Sequence, residues 1–433
     1  MGSAAASAPE TETTFIRQSG WLVVATVSSG VFMTATQVVA NRWMEPVEYG
    51  IWFALLRIFL LMSIPSLGLQ IVFAQQAAAA VSEAQHRQLV GTIAVAFRGM
   101  FYIWLIVAGV TLFTQAHWIA TFKITNAVAL WVTVMIGLAA LWSPILRGVL
   151  QGLQNFRGLG WVLILDGVGR FAAILVILWL GGQAAGGMTG ALIGVGFSVA
   201  VGAWLLRPLL RQPGAPIDWR PWLRRVAPLT LGIGSVQFMA NADVVYVQAV
   251  FAADKTPLYM PAAMIGLALV TFTTPLAAVM FPKVVRSAAL TQDTRALRHA
   301  LRATVLLGGL AAVACTVLPK LPLQIIFFSR PTYWEAAPLV PWFTWSLLPL
   351  VLANVLLSNL LARERYAIVP LALLVALGYG VTLSLLRPRL LQMEEMDAFR
   401  SVIQTLGAFS LLLLGVSALL TRRQKVRAVA AAP

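Results

Sequence analysis

The segment Arg211-Gln212-Pro213-Gly214-Ala215-Pro216-Ile217-Asp218-Trp219-Arg220-Pro221-Trp222 interrupts an otherwise apolar chain with three prolines and a glycine. Each proline removes a backbone donor and clashes with the turn before it, so the stretch predicts a linker outside any membrane helix. On both sides of it apolar windows recur at about the 20 residues a helix needs to cross hydrocarbon while satisfying its own amides. Six precede it, at about 16–40, 50–74, 89–114, 127–150, 159–181 and 186–208, and six follow, at about 224–252, 257–281, 301–319, 336–361, 366–386 and 399–420. The expected organisation is a disordered cytoplasmic N-terminus (1–15), an N-lobe of helices 1–6 (16–210), a cytoplasmic linker (211–222), a C-lobe of helices 7–12 (223–421) and a basic cytoplasmic tail (422–433).

Composition carries the same message. The chain of 433 residues is 60% hydrophobic and 11% charged, with mean hydropathy +0.84, which excludes a water-soluble globular domain. A net charge of +16 would suit nucleic acid in a soluble protein, but in a multi-pass protein basic residues gather in cytoplasmic loops and there recruit anionic lipid. No nucleic-acid partner is expected; membrane lipids are. With the N-terminus placed inside, twenty Lys and Arg fall on the inner side and eight on the outer, so both termini are expected in the cytoplasm. The first 14 residues lack the basic start of a signal peptide.

The two halves repeat. Tyr49 follows the first window and Tyr259 the seventh, 210 positions apart, and the same offset separates Phe156 from Tyr366 at two later junctions. Internal repetition of this kind is characteristic of transporters.

Short loops leave function to the bundle interior. Five charged residues lie more than four positions from either end of a window: Arg57, Arg98, Asp166, Arg170 and Asp243. Each costs about 2.5–3.5 kcal/mol at a helix centre unless it faces protein or a wet cavity. Asp166 and Arg170 are four apart on one helix face and within reach of each other, which permits either a structural ion pair or a guanidinium released to an anionic ligand. Arg98 lies about 14 Å into its window, whereas Arg57 is near enough to the outer end to snorkel. A guanidinium suits phosphate because its fork donates two parallel bonds. Asp243, with Gln237 and Asn241 about a turn or less away, is a candidate for coupling to a proton or cation, or for pairing with Arg57. Pro65, Pro144, Pro228, Pro275 and Pro349 sit inside windows as candidate hinges.

No lysine follows a glycine as a P-loop requires. His86, His117 and His299 fall in expected loops without a clustered partner, and Cys315 is the only cysteine, so no metal, no cofactor and no catalytic site are expected.

Asn41-Arg42-Trp43-Met44-Glu45-Pro46-Val47-Glu48-Tyr49-Gly50, followed by Ile64-Pro65-Ser66-Leu67-Gly68-Leu69-Gln70, resembles the N-terminal signature of lipid-linked oligosaccharide flippases. These belong to the multidrug/oligosaccharidyl-lipid/polysaccharide flippase superfamily. Similar in kind are Leu146-Arg147-Gly148-Val149-Leu150-Gln151-Gly152-Leu153-Gln154-Asn155-Phe156, Asn241-Ala242-Asp243, Tyr259 and Phe281-Pro282-Lys283. The resemblance implies an all-α, MATE-like fold of two pseudo-symmetric six-helix lobes forming a V around a central cavity. It implies export of an undecaprenyl-pyrophosphate-linked oligosaccharide across the bacterial inner membrane for surface polysaccharide synthesis, with polysaccharide polymerases as partners and basic residues meeting the pyrophosphate. Arg57, Arg98 and Arg170 fit that role by type and depth. The peptidoglycan-precursor branch commonly has fourteen spans and basic residues in its first and eighth helices, neither seen here. Multidrug efflux, coupled to Na⁺ or H⁺ through buried acids, is the alternative, and prokaryotic members often carry such an acid in the first helix. None lies between Gly20 and Ala40.

Overall fold

The computed structural model describes residues 12–270 and 295–430. Its helices run in chain order as α1 (Glu12–Trp43), α2 (Pro46–Met62), α3 (Ile64–Ala79), α4 (Glu83–Phe122), α5 (Ala127–Gly152), α6 (Phe156–Trp179), α7 (Gln183–Leu205) and the single turn α8 (Arg207–Leu210). The second half holds α9 (Trp219–Val250), α10 (Thr256–Val270), α11 (Arg295–Val317), α12 (Lys320–Ile326), a 3₁₀ turn (Pro331–Ala336), α13 (Leu339–Ala362), α14 (Ile368–Leu390) and α15 (Glu395–Ala430). Eight of these helices are long and apolar enough to cross a bilayer, and α2 with α3 makes a ninth as a pair bent by 49°. With α1, α9 and α10 the rods among the described residues number twelve.

Two bundles with matching internal packing result. In the first, α1 packs on α6, α6 on α7, α7 on α5 and α5 on α4; in the second, α9 packs on α14, α14 on α15, α15 on α13 and α13 on α11. These four contacts of one bundle each have a counterpart in the other, as the 210-residue offset predicts. Exposed large apolar side chains such as Phe113, Trp179, Leu306 and Leu385 ring the outside, an arrangement that only a lipid surround tolerates.

Several boundaries differ from expectation for physical reasons. The window 50–74 is two helices, because Pro65 at the start of α3 leaves Ser63 to close α2 by accepting the break: its hydroxyl donates to the Leu60 carbonyl at 2.6 Å. The linker is shorter than 211–222. Asp218 caps α9 by accepting from the Arg220 amide at 3.1 Å, and Pro221 is tolerated in the first helical turn, where amides have no intrahelical acceptor. The expected disordered N-terminus is helical from Glu12, and α15 continues through Ala430 into the expected tail. The three histidines lie on helices rather than in loops, since α4 and α11 overrun their apolar windows. Of the candidate hinges, Pro144, Pro228 and Pro349 stand inside α5, α9 and α13. Pro275 and Phe281-Pro282-Lys283 lie outside the described residues.

Candidate functional site

The deepest charge cluster is in the first bundle. The α5–α6 hairpin turns at residues 153–155, so the C-terminal part of α5 lies against the first half of α6 and brings Arg147 to Asp166. One Arg147 nitrogen donates to Asp166 Oδ2 at 2.8 Å, while Arg170, a turn further along α6, donates to Asp166 Oδ1 at 3.0 Å. Asp166 keeps only 8% of its side chain exposed, so both carboxylate oxygens are committed. Two guanidiniums on one carboxylate leave a formal charge of +1, and the Nε atoms of both arginines are buried without a hydrogen-bond partner. The Arg170 guanidinium carbon stands 5.8 Å from the Phe59 ring of α2. Gly194 of α7 lies directly against the Arg170 backbone, and its missing side chain is what lets α6 sink to that depth.

Arg57 takes a different direction. It sits two residues from Phe59 on α2, hence about 200° around the helix, so Arg57 and Arg170 are not brought together. Its guanidinium lies 4.3 Å over the Phe53 ring, its Nε has no partner, and it is within electrostatic reach of Asp243 where α2 packs on α9. No direct ion pair joins these two. Asp243 is 2% exposed and accepts instead from the Tyr259 hydroxyl of α10 at 2.9 Å, leaving Oδ1 unpartnered. The buried Tyr379 hydroxyl of α14, also unpartnered, lies within electrostatic reach of the same carboxylate. Asn241 turns its amide back to the Gln237 carbonyl at 2.8 Å. Arg98 joins neither group. It is exposed, on the face of α4 that also carries Val95, Tyr102 and Leu105, away from the face whose Trp104 bonds to the Val134 carbonyl of α5.

The bundles meet on two faces. On the face where α3 ends and α9 begins, Arg225 donates to Gln75 at 3.0 Å and lies 3.8 Å from Glu364, and Gly68 of α3 abuts Thr230 of α9. There α3 and α9 pack directly on each other. On the opposite face the ends of α4 and α9 cap each other. The Lys123 ammonium donates to the Gln248 carbonyl at 2.6 Å and the Ala249 carbonyl at 3.3 Å, while the Gln248 amide donates to the Phe122 carbonyl at 3.1 Å. These are the orphan acceptors that a helix C-terminus leaves. Burial holds the Lys123 ammonium below the ordinary lysine range, so the carbonyl acceptors offset part of its lost hydration. Arg330 reaches the Met44 carbonyl beside them, and Glu48 of α2 accepts from the Ala184 amide of α7 at 3.0 Å.

Arg147, Lys123, Gln248 and Glu48 were not singled out by sequence reasoning. Arg147 carried a usable signal, because a helix hairpin turning at 153–155 sets it about a turn from Asp166. The others are joined across more than 100 residues and had none. Among the described residues no three His, Cys, Asp or Glu side chains gather as metal ligands.

No protein-family model matches the chain, and no curated protein matches it. Solved structures do match, over nearly the full length. An inward-facing multidrug resistance MATE family transporter of the MOP superfamily superposes with TM-score 0.74 at 10% identity, covering 94% of this chain and 96% of that one. A MOP superfamily transporter from Pyrococcus furiosus, described by the reversed polarity of its binding pocket, gives 0.68 at 11% identity over 94% and 95%. The lipid II flippase MurJ in an inward closed conformation gives 0.67 at 13% identity over 92% and 87%. At such identities the likeness establishes a shared MATE-like fold.

Proposed function

We propose that this chain is an alternating-access exporter of an anionic lipid-linked oligosaccharide of the undecaprenyl-pyrophosphate type, moving it from the cytoplasmic to the periplasmic leaflet of a bacterial inner membrane with both termini in the cytoplasm. The observation that carries this reading is the Arg147–Asp166–Arg170 cluster, a buried group with positive excess and two unpartnered Nε atoms. A phosphate oxygen is the acceptor that such a fork lacks. Arg57, on the α2 helix that packs against α9 of the other bundle, is the second candidate contact. Arg98 supports the reading by type alone, since it lies on an exposed face. Moving a negative charge outward is favoured by about 2.3 kcal/mol per charge per 100 mV of inside-negative potential, and a polysaccharide polymerase would consume the product.

The test is the face on which sugar-lipid accumulates in cells lacking the chain. Cytoplasmic accumulation, relieved by the wild-type chain and not by an Arg170→Ala variant that still inserts, is the expected result. Periplasmic accumulation overturns it.

A second reading, cation-coupled efflux of small molecules, is favoured by a specific observation of its own: Asp243 is buried with one carboxylate oxygen free beside the free Tyr379 hydroxyl. Buried, half-satisfied carboxylates in membranes are sites of protons or cations. Efflux predicts sensitivity to cationic dyes in the deletion strain with surface polymer unchanged.

A further inference from the structure

The first turns of α9 carry Arg220, Arg224 and Arg225 on two different faces of one helix. Arg225 is engaged by Gln75 and Glu364. Arg220 and Arg224, one turn apart and both exposed, have no carboxylate partner among the described residues. Together with Trp219, Leu223 and Ala227, all on one face of α9, they line a shallow, open groove of about 480 Å³. The Arg220 guanidinium sits 5.8 Å from the Trp219 ring, which holds it at the rim, and the neighbouring acid, Asp218, is occupied in capping the helix. Below the two arginines the same face continues as Leu223, Ala227 and Leu231, with Leu223 and Leu231 exposed.

We propose that this groove binds an anionic glycerophospholipid, its phosphate between Arg220 and Arg224 and an acyl chain along Leu223, Ala227 and Leu231. Two unpaired guanidiniums at helical spacing bracket one phosphate with charge-assisted hydrogen bonds. An indole at the same level is the side chain that membrane interfaces favour. The apolar stripe leading away from them selects a lipid over a free phosphate, because soluble anions have nothing to place on it. The site is separate from the Arg147–Asp166–Arg170 cluster, which lies inside the first bundle, and it rests only on the membrane placement of the chain, not on what the chain exports.

Purified full-length protein, titrated with dioleoyl phosphatidylglycerol against dioleoyl phosphatidylcholine and read by native mass spectrometry, tests it. The double variant Arg220→Gln/Arg224→Gln should lose roughly tenfold or more in phosphatidylglycerol retention. The double variant Arg207→Gln/Arg211→Gln, with the same charge change at two other exposed arginines, should retain it as wild type does. Leu223→Ser/Leu231→Ser should weaken the phospholipid while leaving the arginines in place. Should Arg220→Gln/Arg224→Gln not fold, Trp219→Ala with Leu223→Ser carries the same prediction. Equal losses in both arginine doubles would mean diffuse surface charge and overturn the site. Displacement of the lipid by millimolar inorganic phosphate or pyrophosphate would reassign the groove to a soluble anion and overturn it as well.

Discussion

Tyr49 and Tyr259 hold matching places in the two bundles, one on α2 and one on α10, and both are fully buried. Tyr49 donates to the Gln37 amide oxygen at 3.2 Å, Tyr259 to the Asp243 carboxylate at 2.9 Å. The same tyrosine thus meets a neutral acceptor in the first bundle and a charged one in the second. The remaining buried charge differs too: the first bundle holds two arginines on one aspartate, whereas the second holds its aspartate on the Tyr259 hydroxyl with only Arg57 of the first bundle in electrostatic reach. Repetition has conserved the packing frame and left the polarity of its interior free to diverge. Under the proposed function the first bundle supplies the contact for an anion, and Asp243 of the second is the candidate for a proton or cation.

Asp166→Ala is the most severe way to break this contrast. It strands two buried guanidiniums, and removal of one partner from a buried pair costs about 3–5 kcal/mol, so a thermal melt in detergent should show a large drop in midpoint. A small drop would mean that water already solvates the cluster. Tyr259→Phe comes next. It leaves both oxygens of Asp243 without a partner and should cost about 1–2 kcal/mol, the upper part of the range for side-chain hydrogen bonds in membranes. Tyr49→Phe removes a bond to a neutral amide and should cost only about 0.6 kcal/mol. Equal costs for the two phenylalanines would erase the asymmetry between bundles. Asp243→Asn should disturb folding little, since the amide oxygen still accepts from Tyr259. It should leave the melt within about 1 kcal/mol of wild type while abolishing any dependence of transport on a proton or sodium gradient. An unchanged dependence would remove Asp243 from coupling.

Much of the fold was readable from residue order. Apolar windows marked the rods, the breaker-rich segment at 211–222 marked the midpoint, and the 210-residue offset marked the repeat. The Asp166–Arg170 pair was readable too, because residues four apart on a helix share a face. Three things were not. Arg98 was judged by depth, but depth does not say which way a side chain points, and α4 turns it outward with Tyr102 and Leu105. Arg147 lies only three positions from the end of its apolar window and was not weighed with the interior charges, although α5 extends past it to Gly152. The reciprocal caps of Lys123 and Gln248 join helix ends 125 or more positions apart.

Order along the chain determined that this is a membrane-spanning protein of two repeated helical halves, since bilayer thickness and backbone hydrogen bonding constrain each segment separately. The tertiary structure decided which charges meet: Arg147 with Asp166, Arg57 opposite Asp243, Lys123 across the bundles, and Arg98 with none of them. That choice depends on the rotation of each helix about its own axis, and rotation is set by glycine contacts such as Gly194 on Arg170 and Gly68 on Thr230, which appear only when neighbouring helices pack.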